Sequence, residues 1–259
     1  MTLGVDMGLL LITAVIALRL AVLLALLPLM DNRSVPPLWR LAVAVPLAWA
    51  LAPAALPHLQ AMPQPLGWPV LAMEAINSLV VGSLLAFTVN LVLTGVRFGG
   101  SLAGMQIGFA IVNAYDPQTG SQISIIAQLY YLLTVLLFFA LDVHHHLVAA
   151  MVASVQVIPP FAMPDFSQAA GLVLRSYSDV FMLGLRVAAP VALVLLLVSA
   201  AMGVIVKTAP QIHVLVVGFP VKIATGIFVV GATLVYFAGV VERAYAGSED
   251  LLARLLAAF

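Results

Sequence analysis

VLAMEAINSLVVGSLLAFTVNLVLTGVRFGGSLAGMQIG, residues 70–108, runs without a proline and carries charge only at Glu74 and Arg97. Val70 to Val96 alone exceeds the roughly 20 apolar residues that a helix needs to cross a bilayer, and the run continues to Tyr115. Five more apolar runs flank it: Met7 to Met30, Leu38 to Leu56, Ile123 to Ile158, Val180 to Val206 and Ile212 to Val240. Of the 259 residues, 64% are hydrophobic and 8% charged, against about 45–50% and 25% in soluble domains. Ten basic and ten acidic residues cancel to a net charge of +0. That excludes an independently soluble enzyme, a disordered chain, and a nucleic-acid binder, which needs a basic patch. The expected fold is all-α, a polytopic integral membrane protein with about six long apolar helices and no strands.

The breaks between runs are marked by Asp31-Asn32-Arg33-Ser34 with Pro36-Pro37, and by the proline-rich segment 60–69. Asp116-Pro117-Gln118-Thr119-Gly120 reads as a turn, because Pro fixes its own φ and Gly permits a positive one. Ile123 to Ile158 would span roughly 54 Å as one helix, against a hydrocarbon core of about 30 Å. Either it breaks near His144-His145-His146 or it rises out of the lipid within a larger assembly. Residues 161–177 are the most mixed stretch and read as a connecting loop. Lys207 to Gln211 reads as a turn, and Ser248 as the N-cap of a short tail helix with Glu249 and Asp250 in its first turn. The first basic residue is Arg19, so the opening segment reads as a retained helix rather than a cleaved signal. The distribution of Arg33, Arg40, Arg97, Arg243 and Arg254 fits no simple orientation under the positive-inside rule.

With no cysteine, no disulfide or thiol chemistry is open to the chain. Arg19, Glu74, Arg186 and Lys222 lie inside apolar runs, where each costs about 2.5–3.5 kcal/mol at a helix centre and so faces protein or a water-filled cavity. They form either a polar lining or structural pairs between helices. Asp142 with His144-His145-His146 has metal-binding residue types, but consecutive helical residues point about 100° apart. A helix-end polar cluster is therefore expected there, and no metal. Gly95, Gly99, Gly100, Gly104 and Gly108 repeat the Gly-x-x-x-Gly spacing that lets membrane helices approach closely; the same glycines would also weaken a helix into a hinge. Ten methionines fill a core or accommodate a variable guest. No nucleophile elbow, phosphate loop or zinc motif is present, so no catalytic residue is assigned.

At Gly104-Met105-Gln106-Ile107-Gly108-Phe109 and Asp116-Pro117-Gln118-Thr119-Gly120 the chain resembles the FliR family of flagellar biosynthetic proteins, type III export gate subunits related to the SctT family of virulence systems. The resemblance continues through Gln128-Leu129-Tyr130, Leu141-Asp142 with the histidines, and Ser154 to Pro159. It returns at Leu185-Arg186 to Pro190, Ala209-Pro210-Gln211 and Val217-Gly218-Phe219-Pro220-Val221-Lys222. Arg19, the stretch Arg33 to Arg40 and Glu74 are similar too. Val143 and His213-Val214-Leu215 depart from the family pattern.

The resemblance implies a non-enzymatic channel subunit without cofactor, in the bacterial inner membrane within the flagellar basal body. Its partners would be FliP-like and FliQ-like subunits in a helical assembly, FlhB-like and FlhA-like export proteins, membrane lipid and unfolded flagellar substrates. Residues 1–160 would be FliP-like, 161–177 a connecting loop, and 178–259 a FliQ-like hairpin with a tail. The loop of about 108–122 would plug the channel, through Gly108, Phe109, Asn113, Tyr115, Asp116, Pro117 and Gly120. The alternatives are the equivalent subunit of a virulence type III secretion gate, favoured less by Asp116-Pro117 and Gly218-Phe219-Pro220, and a small-molecule transporter or membrane enzyme.

Overall fold

A computed structural model describes residues 7–27, 36–55, 67–108, 124–158, 161, 167–208 and 214–259. Every regular element among them is a helix: α1 (Met7–Leu26), α2 (Pro37–Ala55), α3 (Trp68–Ile107), α4 (Ile125–Ala140), α5 (Val143–Val157), α6 (Ser167–Thr208), α7 (Val214–Ala232) and α8 (Leu234–Ala257). Three of these, α1, α3 and α6, are long and apolar enough to cross a membrane, and two bent pairs, α4 with α5 and α7 with α8, raise the number to as many as five. The all-α membrane class expected from composition is what the chain adopts.

α3 runs 40 residues, about 60 Å, because nothing inside it breaks a helix. Pro69 sits in its first turn, where a missing N–H is harmless. It stops at Gly108, whose φ of 106° is open to glycine but strained for any residue with a Cβ.

The long run from Ile123 to Ile158 does break, at Asp142. That residue takes the left-handed conformation (φ 55°, ψ 23°), which Asp tolerates better than most residues. Its carbonyl accepts from His145 N at 2.9 Å, starting the next helix.

Three local expectations are corrected. Residues 167–177, expected as loop, belong to α6, one helix of 42 residues. The last apolar run is not one straight helix: α7 and α8 meet at a 57° bend. There Thr233 Oγ1 donates to the Val229 carbonyl at 2.7 Å, the back-bonding that bends helices. Ser248 is buried inside α8 rather than capping a tail helix, since the helix was already propagating through Ala244 to Gly247 and needed no new start.

The chain forms two compact units interleaved along the sequence: 1–90, 142–175 and 247–259 in the first, 91–141 and 176–246 in the second. In the first, α1 packs on α2. Ile12, Ile16, Leu20 and Leu23 make the buried stripe of α1, and Ala44, Ala48 and Ala52 that of α2. Alanines at every fourth position let α2 lie close to its neighbours. The core of the second unit is built from Val92, Val96, Ala103 and Ile107 of α3 with Tyr130 of α4, Val191 and Leu195 of α6, and Phe237, Val241 and Tyr245 of α8.

Candidate functional site

The first unit closes on a buried ion pair. Arg19 of α1 and Glu74 of α3 are 0% and 2% exposed, and Arg19 Nη2 stands 3.3 Å from Glu74 Oε1. Arg19 Nη1 donates to the carbonyls of Ile158 at 3.0 Å and Ser154 at 3.4 Å. The Ile158 carbonyl lies at the end of α5, where helical acceptors lack intrahelical partners and the dipole is negative; the Ser154 carbonyl also accepts from Ile158 N at 2.9 Å. Ser78 Oγ, one turn on from Glu74, donates to Oε1 at 3.1 Å. The backbone N–H of Phe161 donates to Oε2 at 2.5 Å, and Phe161 itself takes a φ of 69°. One carboxylate and one guanidinium thus tie together α1, α3, the end of α5 and the chain just beyond it. Both carboxylate oxygens are engaged in this arrangement. Gly82 assists: a Cβ there would fall 2.7 Å from the Arg19 carbonyl, so glycine lets α3 reach α1 at this level.

Arg186 and Lys222 do not join this cluster. They belong to the second unit, where Arg186 is exposed on α6 and Lys222 half-buried on α7. The four charges in apolar runs thus divide between the Arg19–Glu74 pair of the first unit and two residues of the second.

In the second unit the glycine repeat of α3 divides between two partners. A Cβ on Gly95 would meet the Leu183 side chain at 2.9 Å, and one on Gly99 the Gly184 carbonyl at 2.6 Å and Val187 at 2.8 Å, all on α6. Gly100 and Gly104 face the start of α4 instead, with Ala127 Cα 2.6 Å from the would-be Cβ of Gly100 and the Ser124 side chain against Gly104. Gly108 sits under the Phe219 ring, 3.3 Å from where its Cβ would be. Rings complete the packing: Tyr130 stacks on Phe237 with centroids 4.7 Å apart, and Phe98 meets Phe181 edge-on. Arg97 lays its guanidinium 3.8 Å above the Tyr131 ring. Phe109, Asn113, Tyr115, Asp116, Pro117 and Gly120 lie outside the described residues.

Sequence reasoning missed one partner of the histidines. His146 Nδ1 meets Glu249 of α8, and His145 Nδ1 lies 3.3 Å from Asp142 Oδ1. The Asp142–His145 spacing of three residues signals that contact; nothing local signals Glu249.

Long apolar helices, a buried Arg–Glu anchor and a glycine-lined helix face define a helical membrane protein built for close packing. Residues 10–247 match the family described as bacterial export proteins, family 1, and the chain belongs to that family. It is similar to the flagellar biosynthetic protein FliR of Pectobacterium carotovorum subsp. carotovorum, 30% identical over 70% of this chain and 69% of that one. The flagellar biosynthetic protein FliR of Escherichia coli (strain K12) is 28% identical over 92% of this chain and 90% of its own. That of Bacillus subtilis (strain 168) is also 28% identical, over 93% and 92%.

Proposed function

We propose that the chain is a core subunit of the flagellar type III protein export gate, forming and plugging the channel through which unfolded flagellar subunits leave the cell. The observation that carries this is the end-to-end likeness to a flagellar biosynthetic protein, over 92% of this chain and 90% of the relative. In this reading the subunit is non-catalytic and sits in the inner membrane of the basal body. It assembles with FliP-like and FliQ-like subunits, beside FlhB-like and FlhA-like proteins. Residues 1–160 correspond to a FliP-like part and 178–259 to a FliQ-like hairpin.

The close helix approaches at Gly99 and Gly100 support a rigid wall, since small residues pack membrane helices tightly. The positive φ of Gly108 supports a plug beginning there, because it ends α3 and turns the chain into the segment of about 108–122.

Deleting the gene should abolish export of flagellar subunits and swimming, and the chain should co-purify with FliP-like and FliQ-like proteins. Normal export without it would sink the proposal. Shortening 109–121 should leave that complex assembled but make the membrane leaky to ions; unchanged conductance would remove the plug while leaving the gate assignment standing.

A further inference from the structure

The break between α4 and α5 gathers a donor set that the export reading leaves unused. Asp142, His144 and His145 each offer one ligand atom, and these atoms all lie within 4.8 Å of one another. The 100° spacing of helical side chains argues against convergence only if all three residues are helical, and Asp142 is not. Its φ of 55° and ψ of 23° direct its carboxylate to the first turn of α5, where Oδ1 stands 3.3 Å from His145 Nδ1. The imidazoles of His144 and His145 lie beside each other, centroids 4.1 Å apart and planes tilted by 36°. His146 is directed elsewhere, to Glu249.

We propose that Asp142, His144 and His145 form a site for one divalent transition-metal ion, with Zn2+ the reference case. Two imidazoles and a carboxylate are donors that Zn2+ takes at about 2.0–2.2 Å, with a fourth position left for water. Tetrahedral bonds of that length hold ligand atoms about 3.4 Å apart, so donors spread over 4.8 Å close on the ion by side-chain rotation. The side chains of His145 and Asp142 are 71% and 67% exposed, so those two have room to rotate toward His144. Two imidazoles beside one carboxylate favour a transition metal over calcium and magnesium, which prefer oxygen ligands throughout. The bound ion would clasp the left-handed residue to the helix that follows it and so hold the break.

The test is calorimetric titration of the tag-free full chain in detergent with Zn2+. One ion per chain is expected, with a dissociation constant on the order of micromolar or tighter. His144→Ala, His145→Ala and Asp142→Asn should each weaken it about tenfold or more. His146→Ala should leave the affinity unchanged. His145→Asn, closer in size to imidazole, and a circular dichroism spectrum of every variant separate a lost ligand from a lost fold. Binding weaker than about 100 µM, several ions per chain at one affinity, or an affinity unmoved by His144→Ala and His145→Ala would each overturn the site. So would a loss that follows His146 alone.

Discussion

The two compact units solve one problem in opposite ways. Lipid tails are as apolar as leucine, so hydrophobicity alone does not drive one membrane helix against another. The first unit meets this chiefly with polarity, gathering Arg19, Glu74, Ser78 and three backbone groups at one buried point, with Gly82 and the alanines of α2 assisting. The second meets it with shape, leaving side chains off Gly95, Gly99, Gly100 and Gly104 so that neighbouring helices reach the backbone. The polar anchor is concentrated and directional, and its failure mode is removal of a group. The glycine face is distributed and steric, and its failure mode is addition of one.

That contrast predicts a graded series of variants, each followed by the unfolding midpoint of the purified chain in detergent. Glu74→Ala should have the largest effect, about 3–5 kcal/mol, because it leaves the Arg19 guanidinium buried without its counter-charge. Pairing it with Arg19→Met should recover only part of the loss, since the Ile158 carbonyl would then lack its donor. Full recovery by the double variant would mean that the anchor serves charge balance alone. Gly100→Ala comes next, at about 1–3 kcal/mol of overpacking. The added methyl falls 2.6 Å from a backbone atom, Ala127 Cα, which has no rotamer to escape into. A stability equal to wild type would show that α3 and α4 part easily at that level.

Smaller still, Arg97→Ala should cost about 1 kcal/mol, the upper range of an exposed cation–π contact, with Arg97→Lys retaining part of it. At the bottom of the series Gly203→Ala should raise stability by about 0.5 kcal/mol, as helix-interior glycine replaced by alanine does. Nothing lies within 4 Å of the added methyl there. If Gly203→Ala and Gly100→Ala moved the midpoint alike, helix propensity rather than close approach would govern these glycines.

How far the site could be read beforehand follows the same division. The cost of a charge in an apolar run marks Arg19 and Glu74 individually, as it marks Arg186 and Lys222, and nothing local separates the pair from the other two. The spacing of the glycines announces close packing but not that Gly95 and Gly99 face α6 while Gly100 and Gly104 face α4. Excess length in the run from Ile123 to Ile158 left either a break near the histidines or a rise out of the lipid, and the break falls at Asp142, beside them. The bend at Thr233 went unread because no proline, glycine pair or charge marks it. A threonine hydroxyl taking up the Val229 carbonyl looks, in sequence, like any other threonine. Ser248 misled for the reverse reason: a good capping residue followed by two acids is a start signal only where no helix already runs.

The sequence by itself determined a membrane chain of long helices, because transfer from water to lipid is a sum over local composition and needs no knowledge of neighbours. It also determined that buried charges and glycines would have to be accommodated between helices. Only the tertiary structure decided the partners. Arg19 and Glu74 are 55 residues apart along the chain, and Arg19 and Ile158 are 139 apart. Pairings at that range are settled by how whole helices approach one another, a packing choice that no local pattern encodes.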